Sequence, residues 1–399
     1  MTSLASSPRA SLWPRERLAV SGAFLANGFV LGNWTPQVPV LADRLGLSES
    51  RLGLLILAFG IGAVLAMPLV GAATARFGTR RPVVVGQVLL ALAFPLLALA
   101  PSPSLAALAI LFFGMSMGGM DVAMNANAVA VERRLPRAMM SSCHGFWSIG
   151  GFAGAAVGGP LIAALGSTGH MMLIGLVTLL AAIPVGRAML EDRDAPHEAA
   201  SGADTGGAAR GGILSWGAVA IGICALFAMV PEGAAIDWSA IYLRQDHGTE
   251  VAYSGLAFAA LSGSMALFRF LGDPIRDRLG AVHTVRISVG LGLVGLLMIA
   301  LGPDLPVVLV GFAVLGVGLS NIVPVAFSAA GNLPGVKPGV GISIATTIGY
   351  SGILIAPSAI GWFAEHFGFP PVFLGLAVLL ALVFPLAGLM RGADRAPAH

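Results

Sequence analysis

One carboxylate and two amides, Asp121, Asn125 and Asn127, lie in "GGMDVAMNANAVAVERR" (118–134). Two more carboxylates, Glu232 and Asp237, lie in "VPEGAAIDWSAIYLR" (230–244), and both stretches are otherwise largely apolar. Carboxyl groups so placed can exchange protons, and amides can hydrogen-bond the hydroxyls of a solute. Inserting an Asp at the centre of a bilayer costs about 2.5–3.5 kcal/mol, so an acid kept at that depth marks a proton or solute path. Asn125 follows Asp121 by one helical turn and shares its face. Pro231 and Gly233 bracket Glu232 and predict an interrupted helix there, the device by which transporters present backbone to a solute. His144, in "SSCHGFWSIGG" (141–151), is of the type that titrates near neutral pH and suits a proton relay. Asp121, Glu232, Asp237 and His144 are therefore the expected proton-coupling groups. Asn33, Gln37, Asn125, Asn321 and Thr346 are the expected hydrogen-bonding contacts for a solute, with Trp147 and Tyr350 as rings to stack on it. The plainer reading of each is a polar contact between helices.

Enzyme chemistry finds no such footing. Cys143 and His144 are adjacent in a helix and point apart. The two cysteines have no metal-ligand spacing, and no GxxxxGK[ST] loop is present to hold a nucleotide. The expectation is a protein that is not an enzyme and uses neither cofactor nor metal.

These groups need elements to position them, and the composition says which. Of 399 residues, 57% are hydrophobic and only 10% charged, with a mean hydropathy of +0.88. A soluble chain carries about 25% charged residues. Apolar runs of roughly 20 residues, long enough to span a bilayer, fall near 17–41, 51–74, 81–100, 104–131, 138–165 and 169–190, then near 213–242, 252–272, 282–301, 305–330, 339–364 and 370–390. The break, "EDRDAPHEAASGADTGGAARGG" (191–212), reads as a flexible linker between bundles at 1–190 and 213–399. The first run is long enough to be a retained helix rather than a signal peptide. With the N-terminus inside, 19 of the 22 Lys and Arg face the cytoplasm and only Arg44, Arg51 and Arg244 face outward. That bias predicts a multi-pass protein of the bacterial inner membrane with both termini cytoplasmic. The pI near 9.3 does not imply nucleic acid, because the basic residues form no patch with interleaved aromatics. Trp34, Trp238 and Trp362, near outer helix ends, are expected to be belt aromatics.

The second six spans echo the first. Trp13 recurs as Trp216, Asn33–Trp34 as Asp237–Trp238, Arg44 as Arg244, Gly78 as Gly280 and Asp121 as Asn321, at offsets of 200 to 204. Two related six-helix halves in the same orientation predict an all-α membrane protein of twelve helices, pseudo-symmetric about an axis normal to the membrane. The solute site is then expected between the halves.

The loop "GAATARFGTRRP" (71–82) resembles the helix 2–3 signature of the major facilitator superfamily at Gly71, Arg76, Gly78 and Arg80, with Ala75 where that family usually has Asp. The second half has Asp277-Arg278-Leu279-Gly280, with Asp273 in place of the leading Gly. "GGFAGAAVGGP" (150–160) resembles the family's glycine-rich fifth helix, and Asp121 with Asn125 is similar to the fourth helix of its fucose-permease-like branch. That resemblance implies import of a sugar with protons, Asp121 belonging to the pathway. The acid those relatives have on helix 1 is replaced here by Asn33, Trp34 and Gln37. The resemblance also makes Arg76, Arg80, Arg269, Asp273, Asp277 and Arg278 the expected gating residues, Arg269 pairing with Asp273 one turn on.

The expected function is secondary active transport of a small polar, sugar-like solute by alternating access, proton-coupled, by a functional monomer whose partners are the solute, protons and the lipid bilayer. Proton-driven efflux of a cationic compound is the alternative, and a non-transporting receptor is the alternative of another class.

Overall fold

In the computed structural model the described residues are 13–135, 139–192, 215–336 and 338–394, and among them there is no strand. The helices are α1 (Arg15–Leu45), α2 (Glu49–Phe77), α3 (Arg80–Ala98) and α4 (Pro103–Glu132). Met140–Ala188 then divides at Gly166 (φ 70°, ψ 166°) into α5, 140–165, and α6, 167–188. The second half holds α7 (Trp216–Asp246), α8 (Leu256–Leu279), α9 (Ala281–Leu301), α10 (Leu305–Gly331), α11 (Pro338–Phe367) and α12 (Phe369–Ala393). Ten elements are long and apolar enough to cross a membrane. The division at Gly166 and the more polar α1 bring the number to the expected twelve. Of the expected linker only Glu191 and Asp192 are among the described residues.

Local chemistry starts and stops these helices. Ser48, Ser102, Ser215 and Asp304 precede helices and accept from backbone N–H groups three residues on. The turns carry left-handed glycines: Gly46, Gly78 and Gly166 in the first half, and Gly248, Gly280 and Gly368 in the second. Each pair is separated by 202 residues, the offset that also relates Ser102 to Asp304. A Cβ is disfavoured at positive φ, so the duplication is preserved where only glycine fits. The same offset relates two clasps. Asp192, just past α6, accepts from Thr79 N–H (2.8 Å) and Thr79 Oγ1 (2.9 Å) at the start of α3, and Asp394, at the end of α12, accepts from Ala281 N–H (2.6 Å) at the start of α9.

Within the first half, α1 packs on α5, α2 on α4 and α3 on α4 and α6; α7 with α11, α9 with α10 and α8 with α10 answer them in the second. The halves meet through α2–α11, α5–α8 and α1–α7. Glycine makes the closest of these contacts. A Cβ on Gly150 or Gly154 of α5 would fall on the carbonyls of Leu25 or Phe29 of α1, and one on Gly159 would fall on the backbone of Ala252 before α8. Small residues substitute for side-chain packing where a bilayer supplies no hydrophobic drive between helices.

Candidate functional site

The end of the bundle holding Arg17, Arg80, Arg134 and Arg278 is here the basic end, and the end holding Arg44, Arg51 and Arg244 the lean end. Between them, helices of both halves bring polar side chains together. Arg269 of α8 donates through Nη2 to Glu232 Oε1 of α7 at 3.4 Å, and the two side chains keep 15% and 17% of their surface exposed. The other arm, Nη1, donates to Ser148 Oγ of α5 at 2.6 Å, across the boundary between the halves. The ring of His144 on α5 packs edge-on to Phe24 of α1 at 5.2 Å between centroids. Asp121 accepts from Asn125 Nδ2 (3.1 Å), on its own helix. Thr346, one turn before Tyr350, shares its face, and both are half-buried. Trp147 donates through Nε1 to Asn27 Oδ1 of α1 (2.9 Å) and is also half-buried. Arg269 thus joins α5 of one half to α7 and α8 of the other.

Several expected residues are elsewhere. Asn33 and Gln37 are fully buried and held by His170 of α6, which the sequence reading passed over. Gln37 Nε2 donates to His170 Nδ1 (2.6 Å), His170 Nε2 donates to Asn33 Oδ1 (2.8 Å), and Ser167 Oγ donates to Gln37 Oε1 (2.8 Å). This network saturates both amides within the first half, so neither is turned to the centre. Asn127 is also fully buried, its Nδ2 donating to Thr79 Oγ1 (2.7 Å) and Leu190 O (3.3 Å), while its Oδ1 accepts no bond among the described residues. Asn321 lies in the break of α10, with its amide against Gly272 of α8, where a Cβ would leave it no room. The helix does not break at Pro231: α7 runs unbroken from Trp216 to Asp246, and the proline only removes one backbone donor.

Asp237 does not join Glu232. It accepts from Trp34 Nε1 of the other half at 3.3 Å, towards the lean end. Further cross-half contacts gather there: Arg244 Nη1 to Asp43 Oδ2 (2.8 Å), Gln245 Nε2 to Glu49 Oε1 (2.8 Å), Ser50 N–H to Glu365 Oε2 (2.8 Å) and Ser358 Oγ to Gly53 O (3.3 Å). They close the cleft at that end around a small cavity of about 230 Å³ lined by Asp43, Glu49, Arg244 and Gln245. Trp34 and Trp238 are 2% and 1% exposed, packed into the core rather than forming a belt, whereas Trp362 is 46% exposed.

The expected gating residues also divide. Arg269 belongs to the centre and pairs with Glu232; the side chain of Asp273 lies outside the described residues. Arg80 donates to Gly186 O (2.9 Å) and Glu191 Oε2 (3.0 Å), tying α3 to α6 within one half. Arg76 stacks over Phe77, with 5.2 Å between the guanidinium and the ring centroid. Asp277 and Arg278 are exposed at the basic end. A motif of signalling value was available for His170: Asn33 and Gln37, one turn apart in an apolar helix, require a buried partner.

The profile of the Major Facilitator Superfamily matches residues 20–231 and 221–399. An MFS-type transporter of Yersinia pestis is 34% identical over 369 residues, covering 92% of this chain and 94% of the relative. Membrane protein MosC of Rhizobium meliloti is 31% identical over 370 residues, covering 91% and 86%. Among solved structures, the D-xylose-proton symporter superposes with a TM-score of 0.72 at 14% identity, over 94% of this chain and 98% of the other, and the nucleoside transporter NupG with 0.68 at 14% identity, over 94% and 98%. Twelve helices in two repeated halves, with a polar centre between them, are thus those of a membrane transporter: the chain belongs to the major facilitator superfamily.

Proposed function

We propose that the protein couples protons to the movement of a small polar, sugar-like solute by alternating access, with Asp121 as the group that gains and loses the proton. The observation that carries this reading is that Asp121 stands half-buried within an apolar helix, its carboxylate accepting from the Asn125 amide one turn on. Glu232 has a countercharge in Arg269, whereas among the described residues the Asp121 carboxylate is hydrogen-bonded by the Asn125 amide and by no cation. The acid without a countercharge is the one whose charge a proton must cancel when the centre closes, because an unpaired buried charge is costly. Asn125, Tyr350, Thr346 and Trp147 supply hydrogen bonds and ring faces for hydroxyl-bearing solutes. The D-xylose-proton symporter and the nucleoside transporter, which share the fold, are named for solutes of that chemistry, which supports the reading. Cross-half contacts close the cleft at the lean end; the basic end, by the bias of Lys and Arg, faces the cytoplasm of a bacterial inner membrane, with both termini there.

The test is transport in proteoliposomes with labelled sugars, nucleosides and organic cations. Asp121→Asn is expected to abolish uptake driven by a pH gradient while exchange of solute across the membrane continues. Driven uptake unchanged in that variant overturns the coupling role. A response to organic cations alone turns the reading to efflux.

A further inference from the structure

Arg286 of α9 is a charge in an apolar setting. α9 runs for 21 residues, Ala281–Leu301, a length of about 31 Å, close to the roughly 30 Å of a bilayer's hydrocarbon core. Arg286 is five residues in from its basic end, at a depth of about 7 Å. It is exposed, as are Ile287, Val294 and Leu301 along the same helix and Val378 and Leu382 on the neighbouring α12, so this face is turned to lipid. Among the described residues its guanidinium forms no ion pair. Asp394, the acid that ties α12 to α9, accepts from Ala281 N–H at 2.6 Å. Arg286 instead lies over the exposed ring of Phe384 on α12, 5.6 Å from its centroid. That contact offsets only part of the cost of a charge beside hydrocarbon. His283, one turn before Arg286, and Arg391, two turns past Phe384, are exposed towards the same end.

The duplication supplies a contrast. At the offset of 202 residues Arg286 answers to Val84, and Gly388 of α12 answers to Gly186 of α6. A Cβ on Gly186 would lie 3.0 Å from Val84, so an apolar side chain fills that groove in the first half. In the second half a Cβ on Gly388 or on Gly290 meets nothing within 4 Å. The groove between α9 and α12 is therefore open, and it carries a cation and an aromatic ring. We propose that this groove binds an anionic phospholipid of the leaflet at the basic end, with its phosphodiester on Arg286 and its acyl chains along the apolar face of α9 and α12. A guanidinium fork matches two phosphate oxygens, and a phospholipid is the anion that a bilayer supplies near that depth. Arg391 adds a second fixed positive charge, which favours a headgroup of net negative charge over a zwitterionic one. The bound lipid bridges α9 and α12 beside the Asp394 clasp and steadies the second half, where the first half relies on Val84.

The experiment is native mass spectrometry of the full chain released from detergent micelles that carry equal amounts of phosphatidylglycerol and phosphatidylcholine, with thermal unfolding in each lipid. The unaltered protein is expected to retain phosphatidylglycerol in preference to phosphatidylcholine and to melt at a higher temperature in its presence. Arg286→Gln is expected to retain it about fivefold less and to lose the rise in melting temperature. Arg286→Lys, which keeps the charge without the fork, is expected to keep part of both. Gly388→Leu fills the groove without altering charge and is expected to lower retention as Arg286→Gln does. Arg81→Gln removes an exposed arginine from the basic end of the first half and is expected to change neither. Equal retention of the two lipids by the unaltered protein, or undiminished phosphatidylglycerol on Arg286→Gln, overturns the site and leaves Arg286 a cation that snorkels to the bilayer surface. Full retention by Gly388→Leu overturns the groove as the place of binding. Equal losses in Arg286→Gln and Arg81→Gln overturn it too, by reducing the effect to net charge.

Discussion

Replacing Glu232 by Gln leaves Arg269 charged in a half-dry centre with Ser148 as its remaining partner. The size of the effect follows from the geometry. Two unit charges 3.4 Å apart attract with a gross energy of about 5 kcal/mol at an effective dielectric of about 20. Desolvation offsets most of that in the intact pair, but removing one partner strands the other, at a typical cost of about 3–5 kcal/mol. Since both side chains keep some exposure and Arg269 keeps its bond to Ser148, Glu232→Gln is expected to destabilise by about 3 kcal/mol, the lower edge of that range. Arg269→Gln strands Glu232 and is expected to cost a similar amount. The double variant leaves two neutral amides side by side and is expected to lose only about 1 kcal/mol, so the two changes are strongly non-additive. Equilibrium unfolding of the purified protein in detergent, followed through its six tryptophans, completes the cycle. If Glu232→Gln unfolds with the unaltered protein, or if the double variant loses the sum of the single ones, the two groups do not depend on each other and the central ion pair is wrong.

Gly154→Ala places a Cβ on the Phe29 carbonyl and the Asn33 amide and is expected to cost about 1–3 kcal/mol, whereas Gly375→Ala, with nothing within 4 Å, is expected to cost nothing in the same unfolding assay. Trp34→Phe keeps a ring against Phe113 but removes the donor to Asp237. A lost buried hydrogen bond of about 1.4 kcal/mol would open the lean end roughly tenfold more often, read as faster alkylation of a cysteine at Leu52 on its cavity wall. An unchanged rate would remove Asp237 and Trp34 from that gate. His170→Ala strands the amides of Asn33 and Gln37 at about 1–3 kcal/mol each, and is expected to lower stability without altering pH-driven uptake in what remains folded; lost coupling in a fully stable variant would bring His170 into the mechanism.

The twelve spans and their duplication are legible in the chain because both are local properties. Hydropathy marks a span, and a left-handed turn accepts glycine in preference to anything else, so Gly78 and Gly280 announce the repeat directly. The centre is legible only in part. Asp121 and Glu232 stand out as acids in apolar runs, but Arg269 is masked by its neighbours. "RFLGDPIRDR" reads as one charged helix end, and a pair with Asp273 satisfies the sequence spacing. The pair that forms joins residues 37 apart on two helices, which no local pattern encodes. Trp34 is misread for the same reason. An indole near a helix end satisfies the rule for a belt, and its partner Asp237 is 203 residues away.

The duplication also explains why charge is placed as it is. Asp121 of the first half answers to Asn321 of the second, and Asp237 of the second answers to Asn33 of the first. Each half thus keeps one acid of a related pair and has an amide at the other. The two amides are buried and quiet, one against Gly272 and the other in the His170 network. The two acids lie at different depths, one at the centre and one under Trp34 towards the lean end. Four acids at these positions would put like charges in one poorly solvated space, and four amides would leave nothing for a proton to neutralise. The two-fold axis along the membrane normal relates the halves but does not exchange the two sides of the membrane, so the different depths of Asp121 and Asp237 place one acid at the centre and the other against the lean-end closure.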